Sequence, residues 1–157
     1  MTKEQTVREG EDHQERGEAD IGAINAILGF HIRLAHGVCL RHFTETFAEL
    51  GLTQKQVSVL WLVDDHPGIA QTDLAQRLQM DRATTMAIIN RLQAKQLLRR
   101  DRSAHDGRKQ ALYLEPEGHA MLARAKLAIG EHEAWVKRHF SDAEVKVLIE
   151  LLSRIHE

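Results

Sequence analysis

Apolar residues recur at helical spacing from Ile21 to Phe47, and this pattern predicts one long amphipathic helix of roughly 28 residues. Gly51 follows the pattern at a position where glycine commonly ends a helix. Residues 1–20 lack this periodicity and hold seven acidic against three basic residues, so we predict a flexible charged tail there.

Turn and capping residues divide the next stretch into three further helices. Thr53, with Gln56 three residues later, predicts a capping box, and a Pro-Gly pair at 67–68 ends the helix that starts there. A short helix is predicted over residues 72–78, and Asp81 can cap a longer one that runs to about residue 96. On that longer helix the residues expected to face inward are Thr85, Ile88, Ile89, Leu92 and Gln96.

Two strand-like segments follow these helices. Residues 98–102 and 111–115 are predicted to pair around the polar loop 103–110, in which Gly107 suits a tight reversal. Two short helices joined by a tight turn and followed by a basic hairpin constitute a winged helix-turn-helix pattern.

Two helical patterns complete the chain. Pro116 suits the first turn of a long helix, and Ser141 or Asp142 starts a last helix. The residues of the last helix expected to face inward are Val145, Leu148, Leu152 and Ile155. The predicted fold is therefore mainly α with a small β-hairpin wing, in the order helix, helix, helix, helix, hairpin, helix, helix.

Basic residues are concentrated in one part of the chain. The formal net charge is −2, yet residues 82–109 hold eight basic against two acidic residues, as expected of a phosphate-binding surface. On the helix at 82–96, the outward face is rich in small residues and carries Asn90 and Arg91, which can bind adenine and guanine edges. Met86 and Ala87 could touch thymine methyl groups. An ordinary solvated helix face is the alternative.

The tip of the predicted wing carries Asp106, Gly107 and Arg108. An arginine at this place can reach a narrow, electronegative minor groove. We expect Asp106 to orient the Arg108 guanidinium through a charge-assisted hydrogen bond. The alternative is a surface ion pair in a mobile loop, which contributes roughly 0–1 kcal/mol.

Several runs of sequence together identify a family. They are Gly51–Gln56, Gln71–Leu78, Asp81–Leu98, Asp106–Arg108 and Leu114–Gly118, with Gly118 ten residues after Arg108. On these runs the chain, from about Ile21 to Ile155, resembles the MarR family of transcriptional regulators. Met86 and Ala87 stand where family members usually carry Thr-Arg, so the resemblance does not carry over an operator sequence.

The resemblance implies a homodimeric repressor with a winged helix-turn-helix at about 53–115 and dimerisation helices at about 21–50 and 116–157. It also implies that helix 82–96 enters the major groove of double-stranded DNA and that Arg108 enters the minor groove. Apolar stripes too large for one small domain to cover favour a partner subunit on physical grounds. The predicted DNA contacts are Thr72, Arg82, Ala83, Thr84, Met86, Ala87, Asn90, Arg91, Lys95, Asp106, Arg108 and Lys109.

Family members often respond to small aromatic or phenolic acids held between the dimer helices and the DNA-reading lobe. We therefore predict a site for an aromatic carboxylate or its CoA thioester. The residues predicted to form it are His31, Arg33, His36, Cys39, Phe43, Val57 and Trp61. The alternative is simple packing, since aromatic residues at helical spacing usually belong to a core. The effector would favour a dimer whose recognition helices are wrongly spaced.

Two other effectors stay open at this point. Cys39, the single cysteine, could sense oxidation, although an inert, buried cysteine is the commoner case. Zinc could be bound by a set drawn from His36, Cys39, His42, Glu131, His132 and Glu133. Against zinc, His36 and His42 diverge by about 120° around a helix. We expect no resident metal or other cofactor.

Composition and missing motifs exclude other classes of protein. The sequence has no Walker-type glycine loop, no G-x-S-x-G elbow and no H-E-x-x-H, so we do not expect an enzyme. Its longest dense apolar run is far shorter than the roughly 20 residues of a membrane span. A charged start and a single cysteine favour the cytoplasm. A winged-helix module that binds proteins remains an alternative, although the basic stripe argues against it.

Overall fold

The computed structural model describes residues 21–157, so the predicted tail at 1–20 lies outside the described residues. The elements are a 3₁₀ turn at Gly22–Ala26, α1 (Leu28–Thr46), a 3₁₀ turn at Ala48–Leu50, α2 (Gln54–Asp65), β1 (Ile69–Ala70), α3 (Gln71–Arg77), α4 (Arg82–Ala94), β2 (Leu98–Arg102), β3 (Gln110–Leu114), α5 (Pro116–Lys137) and α6 (Asp142–His156). They fall into two compact units that divide between Ala35 and His36. The mainly helical fold with a small antiparallel wing is confirmed.

The prediction of one uninterrupted first helix is wrong. Ile27 has an extended backbone, with φ −93° and ψ 109°, and it separates the first 3₁₀ turn from α1. A second 3₁₀ turn follows α1 and ends at Gly51, whose φ of 60° lies in the left-handed region that glycine tolerates best. The predicted end at Gly51 is therefore right, and the predicted continuity is not.

Capping side chains begin α2 and α4 as predicted. Thr53 Oγ1 accepts from the Gln56 N–H at 3.3 Å, and the Thr53 N–H donates to Gln56 Oε1 at 2.9 Å. Asp81 Oδ1 accepts from the Thr84 N–H at 2.8 Å. Each cap satisfies a backbone N–H that has no partner within its own helix.

The turn between α3 and α4 also contacts the far end of the chain. Gln79 in this turn has a positive φ of 50°, which is uncommon for a residue with a side chain. Its Nε2 donates to the carbonyl oxygen of His156, at the end of α6, at 2.8 Å. The turn of the helix-turn-helix is thus hydrogen-bonded to the last turn of α6.

The wing is a three-stranded antiparallel sheet in the order β1-β3-β2. The hairpin of β2 and β3 was predicted, whereas β1 was not, because a two-residue strand is too short to show periodicity. Ile69 of β1 pairs with Leu112 of β3. Gly68 has a φ of 86°, and a β-carbon added to it would lie 2.9 Å from the Tyr113 hydroxyl oxygen. Glycine therefore leaves room for the Tyr113 side chain. β1 leads directly into α3, so the sheet of the wing continues without a loop into the first helix of the helix-turn-helix.

One core joins the end of α1 with α2, α3, α4, the sheet and the first half of α5. Its largest fully buried side chains include Phe47, Leu60, Leu74, Ile89, Leu92, Leu98, Leu112 and Leu122. Thr85 is also fully buried, and its hydroxyl donates to the Asp81 carbonyl oxygen at 2.8 Å. The polar atom is therefore satisfied, which removes most of the penalty for burying it.

α6 lies outside this core. Of the two predicted starting residues, Ser141 is the N-cap and forms a capping box with Glu144, but none of the residues of α6 is buried. Val145 is half-buried, while Leu148, Leu152 and Ile155 are exposed, so their predicted inward orientation is wrong for a single chain. Beside α6 lies a groove of about 390 Å³, lined by Phe140, Ala143, Glu144, Val147, Leu148 and Leu151. Across residues 21–157, no helix combines the length and the apolarity that a bilayer crossing demands.

Two histidines meet where α1 packs on α5. The Nδ1 atoms of His42 and His132 lie 2.8 Å apart, and the His42 ring stacks on Trp135 with 4.0 Å between centroids. His132 is buried. Burial lowers the pKa of His132 below its ordinary value, and the nearby His42 lowers that pKa further.

α5 approaches the end of α4 closely through a glycine. A β-carbon on Gly118 would lie 1.9 Å from the carbonyl oxygen of Leu97. The same oxygen accepts the Glu115 N–H at 3.0 Å. Gly118, singled out in the sequence as part of the family signature, therefore has a packing role.

We expect Gly118→Ala to destabilise the protein, because the added β-carbon must displace the backbone of α5 or Leu97. Overpacking of this kind costs about 1–3 kcal/mol, measurable as a lower free energy of unfolding in urea. Gly130→Ala, on the same helix, is the control, since nothing lies within 4 Å of its added β-carbon. That change should be neutral or stabilise by about 0.5–1 kcal/mol. Equal stabilities of the two variants would contradict the packing role.

The contact between His132 and His42 predicts that the free energy of unfolding depends on pH. Because the folded chain lowers the pKa of His132, the unfolded chain takes up this proton first as the pH falls. The stability that the neutral ring provides is present above the ordinary value of 6.5 and is lost as the pH falls toward the folded-state pKa. The urea midpoint should decrease from about pH 7.5 to about pH 5.5, and less steeply in His132→Gln.

The matched control for this pH dependence is His105→Gln, which removes an exposed histidine from the wing. This variant should keep the slope of the wild-type protein. If His132→Gln also keeps that slope, His132 is not the group that links folding to pH.

Candidate nucleic-acid interface

α4 has one buried face and one exposed face. Thr85, Ile88, Ile89 and Leu92 are buried, as predicted. The exposed face presents the predicted outward residues Ala83, Met86, Ala87, Asn90 and Arg91, with Arg82 at its start. Gln96 was expected to face inward and does not. It follows α4 with a positive φ of 57°, is exposed, and turns the chain toward β2.

The amide of Asn90 is held by an arginine of the wing. Arg100 on β2 donates from Nη2 to Asn90 Oδ1 at 2.7 Å and from Nη1 to Gln93 Oε1 at 2.9 Å. In the sequence, Arg100 counts only as one charge of the basic stripe, and its contact with α4 is missed. No local pattern signals this contact, because it exists only once β2 has folded back beside α4.

Thr84 belongs to the cap of α4 as well as to its candidate DNA surface. Its hydroxyl donates to Asp81 Oδ2 at 2.6 Å, while its N–H donates to Oδ1. These hydrogen bonds, the one from the hydroxyl above all, lower the pKa of Asp81 below its ordinary value. The hydroxyl proton of Thr84 is therefore engaged, and only the oxygen lone pairs remain for a further hydrogen bond.

The expected contact between Asp106 and the Arg108 guanidinium is wrong. Asp106 Oδ1 accepts instead from the backbone N–H of Arg108 at 3.0 Å, and Ser103 Oγ accepts the Asp106 N–H at 3.3 Å. The loop closes with the Ser103 N–H donating to the Lys109 carbonyl at 3.0 Å. A carboxylate two residues before a backbone N–H commonly stabilises a turn in this way. Asp106 thus shapes the loop and leaves the Arg108 guanidinium exposed.

The cations of the basic stripe are not equally available. Arg99 pairs with Asp101 at 3.0 Å and with Glu115 at 3.5 Å. Lys95, predicted to contact DNA, donates to the Gly51 carbonyl at 3.0 Å, at the C-terminal end of α4. Within the stripe, the exposed cations whose side chains make neither an ion pair nor a hydrogen bond with residues 21–157 are Arg82, Arg91, Arg102, Arg108 and Lys109.

α3 and the wing tip meet in a shallow hollow. Thr72, the predicted contact on α3, lines a cavity of about 190 Å³ together with Arg108 and Lys109. Its hydroxyl donates to Asp73 Oδ1 at 3.3 Å. The start of α3 and two free cations of the wing therefore border one surface.

The residues of the predicted effector site differ in their exposure. Val57 and Phe43 are only 2% and 4% exposed and belong to the core of a single chain, so their part in a ligand site stays a prediction. Trp61 is half-buried beneath the Lys126 ammonium, 4.9 Å from the ring centroid. Cys39 is half-buried, and the oxidation-sensor alternative stays a prediction.

The remaining members of that predicted set are exposed on α1. His36 is exposed in the second compact unit. Within the first unit, His31 Nε2 donates to the Asn25 carbonyl at 2.8 Å, and the Arg33 guanidinium lies over the Phe30 ring. Local contacts explain the placement of both side chains.

The histidines of α1 and α5 do not form the proposed zinc site. Across residues 21–157, no group of three or more His, Cys, Asp or Glu side chains is arranged to hold a metal ion. His42 and His132 approach to 2.8 Å, a hydrogen-bond distance, whereas two nitrogen ligands of a tetrahedral zinc lie about 3.3 Å apart. The zinc alternative is wrong for this part of the chain.

Comparisons with known proteins bear on this surface directly. The model of the MarR family matches residues 50–109. A Thauera aromatica protein, named as a transcriptional regulatory protein for the hcr operon, is 32% identical over 136 residues, 86% of this chain and 82% of its own length. The repressor CouR bound to a 23-mer DNA duplex is 31% identical with a TM-score of 0.84, covering 90% of this chain and 100% of that one.

CouR has also been solved bound to p-coumaroyl-CoA. That structure is 30% identical with a TM-score of 0.80, covering 89% of this chain and 99% of that one. The family match spans α2, β1, α3, α4, β2 and the wing loop up to residue 109, which carry the exposed basic surface, and the relatives extend it over β3 and the flanking helices. The chain belongs to the MarR family of transcriptional regulators and is a DNA-binding regulator rather than an enzyme.

Proposed function

We propose that the protein is a homodimeric repressor that binds a near-palindromic operator through α4 and the wing. The observation that carries this proposal is the exposed, small-residue face of α4 beside a wing whose arginine is free. Ala83 and Ala87 let the helix backbone approach base edges, and Arg91 can bind guanine from the same face. Arg108 has the reach and the freedom to enter a minor groove.

The apolar face of α6 supports the proposed dimer. Val147, Leu148 and Leu151 border one groove and are 54%, 38% and 47% exposed in a single chain. Apolar surface of this kind is covered by a second subunit in stable oligomers. Within the first unit, Leu28 and Ile32 of α1 are exposed in the same way. We therefore assign helices at about 21–50 and 116–157 to dimerisation, around a DNA-binding part at about 53–115.

A two-fold dimer would place its two α4 helices about one turn of DNA apart, roughly 34–36 Å. This spacing is the reason to expect an operator whose two halves are related by inversion. The chain's likeness to a repressor solved on a DNA duplex supports the same arrangement.

We further propose that a small aromatic acid, or its CoA thioester, releases the protein from DNA. The support is the likeness to a repressor solved with p-coumaroyl-CoA. Of the residues predicted from the sequence, His36, Cys39 and Trp61 keep accessible surface on α1 and α2. Such a ligand acts only through its different affinities for the DNA-competent and the incompetent dimer.

Arg108→Ala should weaken operator binding about tenfold, since it removes one cation from the wing tip. Fluorescence anisotropy with a duplex of the protein's own promoter measures this across a range of salt concentrations. Arg124→Ala, an exposed arginine of α5, is the control and should leave affinity unchanged. A wild-type affinity that does not change with salt concentration would contradict the proposal that basic side chains neutralise DNA phosphates.

Leu148→Glu with Leu151→Glu should convert the dimer to monomers and abolish operator binding. Burying two carboxylates in an apolar interface without partners is strongly unfavourable. Light scattering coupled to size exclusion gives the mass of each species. The control, Lys146→Gln with Arg154→Gln, changes net charge equally on exposed positions of the same helix and should remain dimeric. A wild-type monomer at micromolar concentration would refute the proposed assembly.

A further inference from the structure

Arg100 lies where the wing meets the DNA-facing side of α4, and it binds two amides at once. Asn90 and Gln93 are three residues apart, so their side chains are neighbours on the helix surface. The two terminal nitrogens of the guanidinium reach one amide oxygen each, at 2.7 Å for Asn90 and 2.9 Å for Gln93. Arg100 is half-buried, whereas Asn90 is exposed.

The chemistry of the arginine determines which way the Asn90 amide faces. A guanidinium carries only donors, so an amide bound to it must present its oxygen. The amide nitrogen of Asn90, with its two N–H donors, therefore points away from Arg100. Because hydrogen bonds to a charged donor are stronger than neutral ones, this orientation is held firmly.

This orientation changes what Asn90 can recognise. Asparagine selects adenine by accepting from N6–H₂ and donating to N7 at the same time. Arg100 occupies one of the two lone pairs of the Asn90 oxygen and fixes that oxygen on the side of the guanidinium, so Asn90 presents its N–H₂ donors away from Arg100. Guanine presents two acceptors, N7 and O6, in the major groove, whereas adenine would leave its N6–H₂ facing a second donor.

We propose that Arg100 is a specificity-determining positioning residue that orients the Asn90 amide with its N–H₂ donors toward the operator, which selects guanine over adenine. This inference rests on the proposed DNA-binding function and refines it. Arg100 itself need not touch a base. No carboxylate within residues 21–157 forms an ion pair with Arg100, so its positive charge also remains available to attract DNA phosphates.

The test is selection from a randomised duplex library, followed by sequencing, with wild-type protein and four variants. Asn90→Ala identifies the position read by Asn90, because it should lose its preference there alone. In the wild type that position should show guanine over adenine by roughly tenfold. Arg100→Met should shift the preference there toward adenine, since the freed amide can then pair with both of its edges.

Two more variants separate orientation from charge. Arg100→Lys keeps the positive charge but cannot span both amide oxygens, so it should also lose the guanine preference. Arg102→Met removes an equal charge two residues along β2, from a side chain that makes no hydrogen bond or ion pair in the described chain, and should keep that preference. Circular dichroism and thermal melting establish that each variant is folded.

Three results would overturn the inference. The first is a wild-type preference for adenine at the Asn90 position. The second is an Arg100→Met variant whose affinity falls equally on all sequences with a smaller salt dependence, since Arg100 would then be a phosphate contact. The third is a wild-type protein that enriches no sequence, which alone would overturn the proposed function as well.

Discussion

A single carbonyl oxygen, that of Leu97, lies where the end of the α4 segment, the start of β2 and the start of α5 meet. Leu97 comes directly after α4 and its left-handed Gln96, and it immediately precedes β2. Its oxygen accepts the Glu115 N–H and lies against Gly118, at the start of α5. The segment that follows α4, the base of the wing and the helix proposed for dimerisation therefore meet at one point without a side chain between them. A displacement of one of these elements would move the others, because close-packed protein interiors compress little.

The contact around the Leu97 carbonyl oxygen could couple the proposed ligand site to α4 and the wing. A ligand that changes the tilt of α5 would move Leu97, and with it both α4 and β2. β1 adds a second connection, since it pairs with β3 and leads straight into α3. The elements proposed to contact DNA would then move together. In the proposed dimer, their distance from the same elements of the partner subunit would change more than their arrangement within one subunit.

Sequence predicted most reliably the features whose causes are local. The capping box at Thr53 and the cap at Asp81 are confirmed, and the last helix starts at Ser141, one of its two predicted starts, because a cap depends only on residues about three apart. The buried side of α4 followed from its periodicity, with the exception of Gln96, which lies past the helix end. The family resemblance rested on such local runs, and it proved right for the same reason.

Features that depend on distant contacts could not be predicted in this way. The sequence around Asn90 does not indicate that Arg100 binds its amide. The sequence around Ile27 likewise does not indicate that the first helix is interrupted there. Charge counting overrated Arg99, whose partner Glu115 is brought close only by the fold. The effector residues stay a prediction for another reason: an apolar helix face predicts burial, but not whether a ligand or the protein's own core covers it.

The hydrogen bond from Gln79 to the carbonyl of His156 has a practical consequence for handling this protein. A purification tag fused behind Glu157 would emerge beside the turn that joins α3 to α4. Its bulk and charge would lie next to the surface proposed to meet DNA, and a polyhistidine or acidic tag could alter measured affinities there. Tags at this end are best cleaved before any binding experiment.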